Sequence, residues 1–546
     1  MNVLKSILPV FVLLAIAGCN RMKVDDALYC VQIDPLEKAF KEELYFAENN
    51  DTAAVAKGET ASFQWVFRSV YPVKNLKIEA GDLTNGDQRI AAGLKAFVGY
   101  VKSGYDLTGK KFYNPVSALY PDPLLEIETV DVSSMSNQPV WVSYTVPRDA
   151  SGGVYSAEVV ISGEINGEKF SLKKQATAKV YDVVLPEQTL WVTNMYWTDF
   201  LPKMNRDQPV IPYSDRYWEL LKELAHSMRD HGQNVYPVMF ELSRATLSPG
   251  LQYTFDFENF DKTVELFIRE GDLKRLESGY FGGGNPLLWY VPDGNGGSKT
   301  LPFTNDTVRA YYSQYIPALF RHLESKGWDK GFMLHIADEP SDTKAYNEFA
   351  SFIKKLEPNL KVIEATILGQ KLENSVDIHV PIIWYYQTEE AFYKAHQQAG
   401  GEVWYYISCD ARHYANRFLE RELIQCRILH WINYRYDITG YLHWGLNYWK
   451  DEAGDRSLYV DDTDWVPAGD SWIIYPDYGK VYTSIRYEVT RDGIADYELL
   501  RLLEKKDAKK AEELAKAIVK NMDRYNTNIA SFRAKRIQLL ERLAQP

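Results

Sequence analysis

The chain has 546 residues, 46% hydrophobic and 25% charged, a globular balance on a length too great for one ordinary core. Its formal charge is −12 with no basic block, which argues against nucleic acid as a partner. Aromatic residues reach 14%, including 14 Trp and 38 Tyr, and their flat apolar faces with polar tips suit a large core and sugar rings alike.

The N-terminus reads MNVLKSILPVFVLLAIAGCN, with Lys5 ahead of an apolar run from Ile7 to Ala17 that is too short to span a bilayer. Ile16-Ala17-Gly18-Cys19 resembles a bacterial lipobox. It predicts a signal peptide over residues 1–18, lipidation of Cys19 and a polar tether over 19–27. The expected location is the bacterial cell envelope, anchored by lipid and either periplasmic or surface-exposed. Cys30, Cys409 and Cys426 remain, an odd number without metal-type spacing. No metal and no cofactor is expected, and pairing of Cys409 with Cys426 stays open.

Residues 28–186 carry strand signals. Val140, Val142, Tyr144 and Val146 alternate with other side chains, a turn follows through Ser151-Gly152-Gly153, and Val154 to Ile161 continues as strand. A β-sandwich fits, with one short helix possible near Leu36 to Leu44. After Pro186 strands and helices alternate. Strands are predicted at 190–196, 235–240, 278–281, 331–337, 361–367, 377–383, 402–408 and 440–446. Helices are predicted at 215–229, 261–269, 306–326, 342–356, 388–398 and 420–436. Eight such units over 187–483 favour a (β/α)8 barrel. An open doubly wound sheet is the alternative, but no glycine-rich phosphate turn follows the first strand. Residues 484–546 read as helices packed on the barrel, including 508–525 and 528–544. The fold class is therefore multidomain α/β: an N-terminal sandwich, a central barrel and a C-terminal helical segment.

One strand ends oddly. GFMLHIADEPSD, residues 331–342, is apolar until Asp338 and Glu339 appear together ahead of Pro340. Adjacent carboxylates repel, and burying them is costly. In a (β/α)8 barrel the active site lies at the C-terminal ends of the strands, and this pair closes the fourth. Neighbouring strand residues point to opposite faces, so both reach one pocket only if the strand loses its regularity. The blander role is for one acid to cap the following helix and the other to meet an Arg.

Most glycosidases place two carboxyl groups about 5–9.5 Å apart across the bond. Neighbouring residues suit a different division of labour. Glu339 would be general acid and then base, while Asp338 would orient a sugar acetamido group whose carbonyl oxygen attacks the anomeric carbon. Like charge beside it would raise the pKa of one member.

LHIADEP (334–340) resembles the strand-end Asp-Glu motif of glycoside hydrolase family 20. Wider context resembles family 123, the β-N-acetylgalactosaminidases and the bacterial proteins that share their catalytic domain. The likeness includes GETASFQWVF (58–67), PVWVSYTVPRDASGGVYSAEVVISG (139–163), GEVWYYISC (401–409), GYLHWGLNYW (440–449) and SIRYEVTRDGIADYELL (484–500). It implies retention of configuration through an oxazolinium-like intermediate, with Asp338 polarising the acetamido group and Glu339 as acid/base. The implied partner is a glycan with a terminal 2-acetamido sugar.

Further candidates follow from position alone. Trp384, Tyr385 and Tyr386 follow the sixth strand, and Trp404 and Tyr406 lie in the seventh. Trp444, Asn447, Tyr448 and Trp449 lie on or past the eighth. Trp384, Tyr386, Trp404, Tyr406, Trp444, Asn447 and Tyr448 form the substrate-binding set, each equally explicable as packing. Asn194, Asp199 and Glu241 are polar rim candidates. Arg486, Glu488 and Arg491 read as an ion-pair network fixing the first C-terminal helix, and His335 as a core histidine. The Gly/Pro/Asn-rich loop 283–297 is a lid or a tolerated insertion. The competing functions are a glycan-binding lipoprotein without catalysis, and a glycosidase of endo or non-acetamido specificity.

Overall fold

The computed structural model describes residues 27–46, 52–103, 119–239, 243–293, 297–372, 374–411, 413–449, 460–461 and 467–545. The expected leader, Cys19 and the tether up to residue 26 lie outside the described residues, as does Glu241.

The N-terminal region is built from two sheets. One runs in the order Leu28–Ile33, Thr60–Ser69, Asn137–Thr145, Lys95–Ser103, and Leu119–Leu125 also pairs with the last of these. The other runs Ala53–Lys57, Glu168–Val184, Gly153–Ile165, Val73–Ala80, Val130–Val132. In the strand Gly153–Ile165, Tyr155, Ala157, Val159 and Ile161 are buried at alternate positions. They meet Trp65, Phe67, Val140 and Tyr144 of the first sheet in one apolar core. No helix forms at 36–44. Side chains take up the backbone groups there: Asp34 accepts from the Leu36 amide at 2.8 Å, and the Tyr45 hydroxyl accepts from Phe40 and donates to the Lys38 carbonyl.

Eight parallel strands follow: β1 (Trp191–Asn194), β2 (Val235–Val238), β3 (Arg275–Ser278), β4 (Phe332–Leu334), β5 (Lys361–Thr366), β6 (Ile378–Pro381), β7 (Glu402–Tyr406) and β8 (Gly440–His443). Their spatial order is β1-β8-β7-β6-β5-β4-β3-β2. The helices between them are α1 (Asp215–Asp230), α2 (Glu258–Glu270), α3 (Asp306–Lys326), α4 (Thr343–Leu356), α5 (Ile383–Thr388), α6 (Glu390–Gln398) and α7 (Ile424–Arg435). α3 shows why sequence bounds a helix: Asn305 caps it by accepting from Thr307, and Gly327 ends it at φ 72°.

The barrel is nearly closed. Side chains carry most of the join between β1 and β2. The Asn234 Oδ1 accepts the Val192 amide at 2.9 Å, and Asn234 Nδ2 donates to the Leu190 carbonyl at 3.0 Å. Gln233 accepts from the Asn194 amide and donates to the Asn194 carbonyl, both at 3.2 Å. One backbone bond, Asn234 amide to Val192 carbonyl, accompanies them.

The C-terminal segment is α8 (Ile485–Ile518), a hairpin (Val519–Asn521 with Arg524–Tyr525) and α9 (Ile529–Ala544). The helix expected at 508–525 therefore stops at Ile518, where the chain turns back on itself. α8 breaks at Asp507, which has φ −153° and caps the Lys510 amide at 3.1 Å. Ion pairs bind this segment to the rest. Arg486 meets Asp122 of the N-terminal region, and Arg533 meets Asp34. Arg536 of α9 bridges Glu59 and Asp496, and Asp496 also accepts from Arg427 of α7. Glu488 lies between His231 and Arg491. Cys409 and Cys426 are not joined to each other by a disulfide.

Candidate active site

β4 makes ladder bonds only to Leu334, three residues short of the predicted strand end. Beyond it the Ile336 carbonyl accepts from the Phe281 and Gly282 amides, both at 3.0 Å, so the chain swings toward the segment after β3. Gly282 also packs closely against the strand that follows: a Cβ there would meet the Leu288 carbonyl and the Trp289 ring at 2.6 Å. Asp338 follows, and Glu339 takes a left-handed φ of 41°. A non-glycine residue in that region is strained, a feature that concentrates at functional sites. The irregularity lets consecutive acids open on the same end of the barrel. Both remain accessible to solvent, and Pro340 behind them is buried.

Each acid has its own tyrosine. The Tyr280 hydroxyl lies against the Asp338 carboxylate. The Tyr406 hydroxyl, from the end of β7, donates to Glu339 Oε1. Protein walls flank both carboxyls, and desolvation raises the pKa of each. For Asp338 the nearby Glu364 charge adds to that rise, while the Tyr280 contact and His335 oppose it. For Glu339 the Tyr406 bond opposes it, while the charges of Asp338 and Asp410 add to it. Glu339 thus combines an elevated pKa with an exposed carboxyl, as a proton donor requires.

The aromatic candidates separate into two groups. Trp384 on α5, Trp444 after β8 and Tyr448 are half-buried at the C-terminal end of the barrel. Trp444 is held by an indole bond to Asp470 at 3.1 Å, and Tyr448 packs edge-on against Trp197 and Phe200. The other group lies elsewhere. Tyr386 is fully buried and stacks on Tyr393. Trp404 fills the barrel interior against Gly440, where a Cβ would come within 2.2 Å of its ring. Its indole donates to Glu402, which pairs with Arg275 at the opposite, N-terminal end. Asn447 is fully buried and clamps the Trp197 backbone, accepting from its amide at 2.8 Å and donating to its carbonyl at 3.0 Å. These three serve packing and loop closure, because their polar atoms are already spent on the fold. Trp449 likewise donates to the Ile474 carbonyl and is nearly buried. Asn194 is buried in the β1–β2 join and also accepts from Arg417, so it is not a rim residue. Asp199 is exposed on a short 3-10 turn after β1.

Sequence reasoning passed over Tyr280, Asp410 and Trp197. Tyr280 stands two residues past β3, the same kind of strand-end position that singled out Trp384, and Asp410 lies just past β7. Of the loop 283–297, the described residues contribute to a small three-stranded sheet, Gly282–Gly283, Leu288–Pro292 and Ser298–Leu301. Trp289 anchors it by stacking on Phe349 of α4 with ring centres 3.7 Å apart.

Comparison with known proteins agrees with this architecture. The family model described as glycoside hydrolase 123, catalytic domain, matches residues 203–503, more than half of the chain. The glycoside hydrolase 123 N-terminal domain matches residues 38–163. No curated protein matches. Among solved structures, a family 123 glycoside hydrolase from Clostridium perfringens, studied for glycolipid glycan hydrolysis, superposes with a TM-score of 0.74 at 15% identity. The match covers 95% of this chain and 97% of that one. An endo-β-1,4-mannanase from Thermotoga petrophila, at 15% identity over 57% of this chain and 77% of its own, reaches a TM-score of only 0.35. The two domain matches lie in chain order over the N-terminal sheets and the barrel that carries the acid pair, and the chain belongs to glycoside hydrolase family 123.

Proposed function

We propose that this glycosidase removes a terminal β-linked 2-acetamido hexose, N-acetylgalactosamine first among them, with retention of configuration. The observation that carries the reading is a pair of consecutive solvent-accessible carboxyls, Asp338 and Glu339, just past β4, with the chain turning left-handed at Glu339. Glu339 donates its proton to the glycosidic oxygen as that bond to the anomeric carbon breaks. The acetamido carbonyl oxygen attacks the same carbon from the other face, and Asp338 accepts the amide N–H as positive charge develops. The Glu339 carboxylate then removes a proton from the water that opens the oxazolinium. Two inversions at one carbon give net retention. In this reading Tyr406 leaves Glu339 and donates to the incoming substrate, and Trp444 offers its half-buried ring as a platform.

A panel of p-nitrophenyl β-glycosides tests the reading. Turnover is expected for the N-acetylgalactosaminide or glucosaminide and not for the plain galactoside or glucoside. Asp338→Asn and Glu339→Gln should each lower kcat by about 10²–10⁴-fold with unchanged circular dichroism. Equal activity on the plain hexosides would remove the substrate-assisted mechanism. Attachment at the cell envelope through lipidated Cys19 belongs to the same proposal. Cys19→Ser should release the protein from the membrane fraction, and its retention there would refute the anchor.

A further inference from the structure

A buried array lies beneath the acid pair and has no part in the chemistry above. Glu277 of β3, His335 just past β4 and Glu364 of β5 are each fully buried. His335 Nε2 meets Glu277 Oε1, and its Nδ1 meets Glu364 Oε1 at 3.1 Å. The other oxygen of Glu364 accepts three bonds: from the Ile336 amide at 3.0 Å, the Ala337 amide at 3.0 Å and the Tyr346 hydroxyl of α4 at 2.8 Å. The Tyr280 ring, whose hydroxyl reaches Asp338, packs edge-on against His335 at 5.0 Å.

The registry explains what Glu364 does. β4 pairs with β5 at Met333↔Lys361 and Leu334↔Val362 and then stops. Continued in register, Ile336 would run beside the Glu364 backbone. Instead the Glu364 carboxylate takes both the Ile336 and the Ala337 amide, of which a regular ladder to β5 would have used only one, since successive residues of a strand face opposite neighbours. Past the end of that ladder the Ile336 carbonyl is held by the Phe281 and Gly282 amides on the side of β3. Asp338 and Glu339 are the next residues but one. Burial opposes a charge on His335, yet the two flanking carboxylates raise its pKa to about 10. The imidazolium therefore offers a proton to each of them and locks both rotamers.

We infer that Glu364 is a positioning residue for the acid pair: its carboxylate, held by His335, which Glu277 holds in turn, ends β4 early and aims Asp338 and Glu339 into one mouth. The inference rests on the catalytic roles proposed above for those two acids. A group that sets geometry contributes most where geometry is most demanding, in the transition state.

The test compares Glu364→Leu, which keeps bulk and removes every acceptor, with Glu364→Gln, which retains an oxygen for the two amides. Tyr346→Phe, which deletes one hydroxyl bonded to Glu364, serves as a milder third variant. The readouts are kcat/KM on the aryl 2-acetamido glycoside and Ki for the matching sugar thiazoline, a mimic of the oxazolinium. Glu364→Leu should lower kcat/KM at least tenfold and raise Ki by the same factor. Glu364→Gln should recover to within about fivefold, and Tyr346→Phe should raise Ki about threefold. Loss of folded protein lowers the number of active sites but leaves Ki where it was, so Ki separates positioning from mere stability. If Glu364→Leu does not fold, Tyr346→Phe decides. An unchanged Ki in either soluble variant overturns the inference. Glu339→Gln, run in parallel, separates the two claims: if it is inactive while the Glu364 and Tyr346 variants keep Ki, the catalytic reading stands and the positioning role fails.

Discussion

Removal of the Asp122 carboxylate should be among the most damaging single changes outside the active site. Asp122 and Arg486 are both fully buried, and they tie the N-terminal region to the first turn of α8. Arg486 donates from Nε at 2.9 Å and from Nη2 at 2.8 Å to the two carboxylate oxygens. It also donates to the carbonyls of Arg417 and Gly469, each at 2.7 Å, and of Trp472 at 3.1 Å. The Tyr475 hydroxyl adds another bond to Asp122. Charge-assisted hydrogen bonds contribute about 1.5–3 kcal/mol each, and breaking a buried pair from one side costs about 3–5 kcal/mol. Asp122→Ala should therefore cost about 3–5 kcal/mol. Arg486→Met strands the carboxylate and also three carbonyls, each worth about 1–3 kcal/mol when left unpaired, so it should cost more than Asp122→Ala. Urea unfolding followed by tryptophan fluorescence measures both. A cost below about 1 kcal/mol for Asp122→Ala, or a smaller cost for Arg486→Met than for Asp122→Ala, would refute the reasoning, because a buried pair that breaks cheaply is not a structural tie.

Two further predictions concern protons. The Tyr406 bond favours the ionised form of Glu339, so Tyr406→Phe should raise the Glu339 pKa further and move the basic limb of kcat/KM to higher pH; a shift to lower pH would contradict the hydrogen bond. His335 is raised from 6.5 to about 10, so the folded state binds a proton that the unfolded state releases between those values. Its contribution to stability is fully present below pH 6.5 and is lost as pH rises through 10. Urea midpoints should fall over that range and fall less steeply in His335→Gln; identical slopes would show that His335 does not carry the charge.

Seven of the eight strands were legible from their apolar runs, although most of their predicted ends ran long, whereas the third was predicted at 278–281 and lies at Arg275–Ser278, where Arg275 and Glu277 interrupt the apolar run. Hydrophobicity marks burial, whereas a strand ends where its ladder ends, and β4 stops at Leu334 although Ile336 and Ala337 are equally buried. The agent there is Glu364, about thirty residues away in sequence, and no local pattern shows it. α3 was legible to both ends because its caps are local. The helix expected at 508–525 overran for a local reason that was readable: Asn521 to Arg524 is turn chemistry, and there the chain makes its hairpin. At the site, Asp338 and Glu339 stood out because two adjacent acids closing an apolar strand need an explanation. The aromatic candidates did not sort themselves, because composition cannot tell a ring on the mouth, such as Trp444, from one inside the barrel, such as Trp404. What distinguishes them is the partner, Gly440 beneath Trp404 and Asp470 beside Trp444, and both partners lie far along the chain.

The join between β1 and β2 gives this barrel a seam. Backbone ladders tolerate almost any residue, since every residue carries the same donor and acceptor. A closure stitched by the amides of Gln233 and Asn234 is instead encoded at two positions, and each amide must present its oxygen and its nitrogen the right way round. Deamidation of Asn234 to Asp would set a negative oxygen against the Leu190 carbonyl and loosen the cylinder at one line while the other seven interfaces hold. Ageing of the protein should therefore begin along that line, and the Val192 and Asn194 amides, protected by side chains alone, should be the first of the staves to trade hydrogen for deuterium.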